Sequence, residues 1–137
     1  MDQRLVSYRK INLLFLAVII GVFVYSLLFS LGQHPIPSFF TDISGIVSPS
    51  KGLSAAFSQL VRGNYADAQR NNPHVLQIFS FFALQLMLRV FFLLLIRLKA
   101  KTVRCIIWVD IGVSLMLFLW CFAPFIRFTF NLFLNSF

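Results

Sequence analysis

Residues 73–110 read PHVLQIFSFFALQLMLRVFFLLLIRLKAKTVRCIIWVD. Phe, Leu, Ile and Val dominate the stretch up to Ile96, a cluster of Arg97, Lys99, Lys101 and Arg104 follows, and the apolar pattern resumes at Cys105 and runs to Ala123. At about 1.5 Å per residue, each apolar run is long enough to approach or cross a hydrocarbon core of about 30 Å. Backbone groups in lipid must bond within their own segment, so runs of this kind are helices. Strands of a membrane barrel would alternate polar and apolar residues over about ten positions, and these runs do not. A short basic connection between two such helices makes them an antiparallel pair.

Working outward from the pair, Ile11 to Leu31 is uncharged, interrupted only by Asn12, Gly21, Ser26 and Ser30, and reads as a third span. A cleaved secretory signal would show a shorter apolar region of about 7–15 residues, so a retained anchor is expected. The composition agrees. Of 137 residues 59% are hydrophobic, 12% charged and 17% aromatic, with 18 Phe and a mean hydropathy of +0.86. Soluble domains carry about 25% charged residues, which excludes that class here. The sequence therefore predicts an all-α membrane protein with three transmembrane helices and an amphipathic helical loop between helices 1 and 2. Its segments are an N-terminus at 1–10, helix 1 at 11–32, a loop at 33–72, helix 2 at 73–97, a basic hairpin at 98–104, helix 3 at 105–124 and an amphipathic tail at 125–137.

Twelve Lys and Arg face four acidic residues, none of them Glu, for a net charge of +8. Arg4, Arg9 and Lys10 lie before the first span and Arg97, Lys99, Lys101 and Arg104 in the hairpin, whereas the long loop is nearly balanced. Positive charge follows the cytoplasmic side. The expectation is a multi-pass protein of the bacterial cytoplasmic (inner) membrane, its N-terminus and hairpin cytoplasmic, its 33–72 loop and C-terminus external. The surplus reads as a topology signal, with anionic lipid at Arg97, Lys99, Lys101 and Arg104, and not as a nucleic-acid surface.

Arg89 and Asp110 are the ionisable residues well inside the spans, where charge is expensive and usually paired. Arg89 lies eight residues before Arg97 and Asp110 six after Arg104, so the antiparallel pair brings both to a depth of roughly 10 Å. An intramembrane ion pair between them is expected, fixing the register of helices 2 and 3. His74, Gln77, Gln85 and Arg89 fall within about 120° on the helical wheel and form a polar stripe facing protein or a crevice. Cys105 and Cys121 are sixteen positions apart in one span, about 24 Å along it, and cannot bridge each other.

In the loop, Leu53, Ala56, Phe57, Leu60 and Val61 recur at helical spacing, with Ser54, Ser58, Gln59 and Arg62 elsewhere on the wheel. Ser48 or Ser50 can cap this helix and Gly63 can end it in a left-handed conformation. Asn64 can cap a second short helix around 65–70, and Asn72-Pro73 is a cap with a proline opening helix 2.

The stretch from Ser44 to Ala56, SGIVSPSKGLSAA, followed by Leu60-Val61-Arg62-Gly63-Asn64-Tyr65-Ala66-Asp67-Ala68 and by Asn72-Pro73, resembles a bacterial membrane family. It is the family known as domain of unknown function 2752. Its signature reads Thr-Gly-Ile-x-Cys-Pro-x-Cys-Gly-x-Thr-Arg-Ala, then Leu-x-x-Gly-Asp-Phe-x-x-Ala, then Asn-Pro before a hydrophobic span. Here the two cysteine positions hold Ser48 and Lys51 around Pro49, the Thr-Arg pair becomes Ser54-Ala55, and the Asp after Gly63 becomes Asn64. Two thiolates at a turn can hold a metal ion or exchange a disulfide, and serine and lysine cannot. The resemblance implies the family fold with a degenerate site, its structural positions Gly45, Pro49, Gly52, Gly63, Asn72 and Pro73 retained.

No phosphate loop, dinucleotide fingerprint or metal-ligand cluster is recognisable, and no catalytic residue, cofactor or metal is predicted, while bound lipid suits the Phe-rich spans. The expected function is a small non-catalytic integral membrane subunit or scaffold of a larger envelope complex, with other integral membrane proteins as partners. The alternatives are a membrane enzyme or redox component with an external site around Ser48 to Lys51, and a transport component using the helix 2 stripe.

Overall fold

The computed structural model describes residues 3–28, 49–98 and 102–134. In chain order these form α1 (Gln3–Leu28), α2 (Leu53–Val61), α3 (Tyr65–Asn71), α4 (Val75–Leu98), α5 (Val103–Cys121) and α6 (Ala123–Leu134). The fold is all-α, with no strand among the described residues. α1, α4 and the 19-residue α5 are long and apolar enough to cross a membrane, which makes this a membrane protein of three spans. α6, at 12 residues, reaches only about 18 Å.

Several element boundaries differ from the sequence expectation. α1 begins at Gln3, inside the segment read as an N-terminal tail, because 3–10 contains no helix breaker and Tyr8 is drawn into the core. α4 starts at Val75 and not at Pro73. The Asn72 side chain accepts a hydrogen bond from the His74 N–H (2.8 Å), so Pro73 and His74 form a turn ahead of the helix. α5 starts at Val103, which moves Arg104 from the connection into the first turn. The chain leaves α5 at Phe122, just before Pro124, whose ring nitrogen cannot donate to the preceding turn.

α4 is the central element. α1 and α5 each pack along it, and α1 and α5 share no comparable face with each other, so the three spans form a layer and not a closed bundle. Basic residues Arg97 and Arg104 mark one end, and the α2–α3 pair is docked on the other, against α1 and α4. At the docked end Phe57 of α2 inserts edge-on between Phe79 and Phe82, over a core of Ala56, Leu60, Ala68, Val75 and Ile78. At the basic end Tyr8, Phe92, Ile96 and Ile106 form a second apolar core. Between the two lies a polar layer.

Candidate functional site

The polar layer is built from three helices. α4 contributes Gln85 and Arg89, one turn apart on the same face; α5 contributes Asp110 and Ser114, also one turn apart; α1 contributes Tyr8 and Asn12 with the same spacing. Arg89 is the hub. Its Nη2 donates to Asp110 Oδ1 at 2.5 Å and its Nη1 to Asp110 Oδ2 at 2.9 Å, a bidentate pair. Nη1 also donates to Asn12 Oδ1 at 2.9 Å, and Nη2 to Gln85 Oε1 at 3.1 Å and Ser114 Oγ at 2.6 Å. The Asp110 carboxylate further accepts from Tyr8 Oη (2.6 Å) and Ser114 Oγ (3.1 Å). Arg89 and Asp110 are 6% and 3% exposed, so both charges are removed from lipid and satisfied by each other. The Phe15 ring lies 5.8 Å from the guanidinium carbon and covers the cation.

The ion pair read from the sequence is thus formed, and it is larger than the sequence suggested. Tyr8, Asn12 and Ser114 were missed as members. Their signal was present: Asn12 interrupts the first apolar run, Tyr8 precedes it by four, and Ser114 follows Asp110 by four. The helix 2 stripe does not stay together. Gln85 and Arg89 are buried in the layer, whereas Gln77 is exposed and His74 is a half-buried ring whose centroid is 6.5 Å from that of Phe125. Gln77 sits about 120° from Arg89 on the wheel and His74 about 22 Å from it along the axis, so neither can reach the layer.

An open groove lies over this layer, between α1 and α5, with a cavity volume of about 570 Å³. Its walls are apolar, including Phe15, Val18, Phe81, Phe82, Ile111 and Leu115, and Gln85, Arg89, Asp110 and Ser114 line its polar part. The Tyr8 to Asp110 hydrogen bond is where α1 reaches across to α5.

The 49–55 stretch, read from the sequence as a degenerate motif, lies at the opposite end from the basic residues and is held by backbone contacts. Gly52, at φ +72°, occupies the N-cap position of α2 in place of the expected serine, and a Cβ there would lie 2.5 Å from the Asn71 carbonyl oxygen. Asn72 is buried and donates from Nδ2 to the carbonyls of Pro49 (2.7 Å) and Lys51 (2.9 Å). One asparagine therefore ties the 49–52 turn to the start of α4. Gly63 is left-handed as expected, at φ +85°. Asn64 precedes α3 but gives its side chain to Gln59 Oε1 (2.8 Å) instead of capping the helix. The Lys51 and Ser54 side chains are exposed and Ala55 is half-buried; Ser48, Lys99 and Lys101 lie outside the described residues. Arg62 reaches from α2 to the Leu27 carbonyl at the end of α1 (2.9 Å). Cys105 is exposed and Cys121 buried, and no group of three metal-ligating side chains occurs among the described residues.

In comparison with known proteins, no family model, no curated protein and no solved structure matches the chain.

Proposed function

We propose that this chain is a small non-catalytic subunit or scaffold of a larger complex in a bacterial inner membrane, its N-terminus and basic connection on the cytoplasmic side. The observation that carries the reading is the Arg89 to Asp110 layer. Intramembrane charges mark either a pathway for ions and protons or a fixed joint between helices. Here both charges are bidentately paired, buried and tied to α1, α4 and α5 together, an arrangement suited to a joint. The outlying Gln77 weighs against a continuous polar path along α4. The motif turn, organised through backbone carbonyls with Lys51 exposed, favours an architectural role over external catalysis.

Large side chains left outward on α5 and α6, among them Trp108, Met116, Trp120 and Phe133, offer a face for another integral membrane protein. The likeness of residues 44–73 to the domain of unknown function 2752 family supports a bacterial envelope setting. The test is the mass of the tagged full chain extracted in a gentle detergent. A defined complex larger than the 15.8 kDa chain is expected, and a monomer without a stoichiometric companion would sink the reading.

A further inference from the structure

The groove between α1 and α5 has one property that packing alone does not account for. Arg89 Nε is buried and makes no hydrogen bond, although both terminal nitrogens of the same guanidinium are fully engaged. A buried donor left unpaired costs about 1–3 kcal/mol. Gln85 accepts from Arg89 through Oε1 and lines the same groove, so its amide nitrogen is available as a second donor. Arg89 and Gln85 both line an apolar groove of about 570 Å³, which matches the usual build of a small-molecule site, apolar walls with a few placed polar groups.

We infer that this groove binds a neutral lipophile carrying a carbonyl oxygen on a planar head, the chemistry of a quinone with an apolar tail. Three observations select that class. Arg89 is already neutralised by Asp110, so a carboxylate or phosphate head would compete with an intact bidentate pair, whereas a neutral acceptor adds to it. Arg89 lies eight residues before Arg97, about 12 Å along the helix, deeper than the headgroup plane in which a phospholipid keeps its polar atoms. The walls beside the donors are aromatic, with Phe15 near the guanidinium and Phe81 and Phe82 edge-to-face at 5.5 Å, and they suit a flat ring. The tail then leaves sideways between Val18 and Leu115, both exposed along the groove. The inference is independent of the subunit reading, which rests on the ion pair and the outer faces.

The test uses the purified full chain in detergent micelles and decylubiquinone as probe, with saturable quenching of Trp108 and Trp120 as readout. Methyl palmitate, which has a carbonyl but no ring, and phosphatidylglycerol are the competitors. Expected are saturable quenching by decylubiquinone and, for either competitor, an inhibition constant at least about tenfold weaker than the quinone's own dissociation constant. Gln85→Leu should weaken binding about three- to tenfold, the worth of one hydrogen bond. Val18→Phe combined with Ile111→Phe narrows the groove from both walls, at two half-exposed positions and without adding a fluorophore, and should abolish saturation with helix content unchanged. Quenching that rises linearly without saturation, equal competition by methyl palmitate, or undiminished binding to the Val18→Phe, Ile111→Phe protein would each overturn the inference and leave the groove to lipid tails or a partner helix.

Discussion

Replacing Asp110 by Asn removes the only carboxylate within reach of Arg89 among the described residues and leaves a cation, 6% exposed, beneath the Phe15 ring. Asp110 accepts four hydrogen bonds, two from Arg89 and one each from Tyr8 and Ser114. Breaking a buried pair from one side costs about 3–5 kcal/mol, because the surviving charge is stranded. That is a loss of about two to three and a half orders of magnitude in the folded-to-unfolded ratio. Arg89→Gln strands the carboxylate and falls in the same range. The double substitution leaves two neutral amides able to bond each other and their old neighbours, so it should cost no more than the worse single change. The assay is a double-mutant cycle on reversible unfolding in mixed micelles, followed by far-ultraviolet circular dichroism. A coupling of about 3 kcal/mol or more is expected, at the top of the range for contacting residues. Strictly additive losses, with coupling below about 0.5 kcal/mol, would refute the assignment of the pair as the joint between α4 and α5.

Tyr8→Phe removes one hydrogen bond to a charged acceptor and should cost about 1–2 kcal/mol in the same unfolding assay, the upper range for such bonds within membranes. Gly52→Ala forces a Cβ to 2.5 Å from the Asn71 carbonyl at a positive φ, so it should loosen the 49–52 turn and raise its cleavage by added protease, leaving the three spans intact. Asn72→Ala leaves the Pro49 and Lys51 carbonyls without their donor and the His74 N–H without its acceptor; a loss of about 1–3 kcal/mol and the same local cleavage are expected. In a cysteine-free background, Lys51→Cys should react with an impermeant maleimide added outside spheroplasts and Arg97→Cys only after permeabilisation; the reverse pattern would invert the proposed orientation.

The three spans were legible because hydropathy over about twenty residues is a one-dimensional signal that lipid imposes directly. The ion pair was legible because two charges counted from one basic hairpin have a fixed relative depth. The rotation of the helices was not. α4 and α5 are apolar around most of their circumference, so their pattern does not say which side meets α1, and Gln77 drew the stripe toward a face that is exposed. The role of Tyr8 was hidden by its neighbours: Arg4, Arg9 and Lys10 gave the segment the composition of a tail, while its backbone continues α1. The loop helices followed from their periodicity, but the clamp made by Asn72 joins residues 21 and 23 positions apart, beyond any local rule for caps.

Because Arg89 precedes its counter-ion by 21 residues, the order of synthesis poses a problem that the finished fold conceals. At about 5–20 residues per second, the arginine leaves the ribosome one to several seconds before Asp110 does. An isolated arginine at the centre of a span disfavours insertion by about 2.5–3.5 kcal/mol, and Asn12 and Gln85 are the neutral groups then present to shield it. Release of α4 into lipid should therefore lag until α5 has emerged, so that the hairpin partitions as one unit. A ribosome stalled between the two helices would hold the nascent chain at the insertion channel, with its first span already in the bilayer and its second waiting.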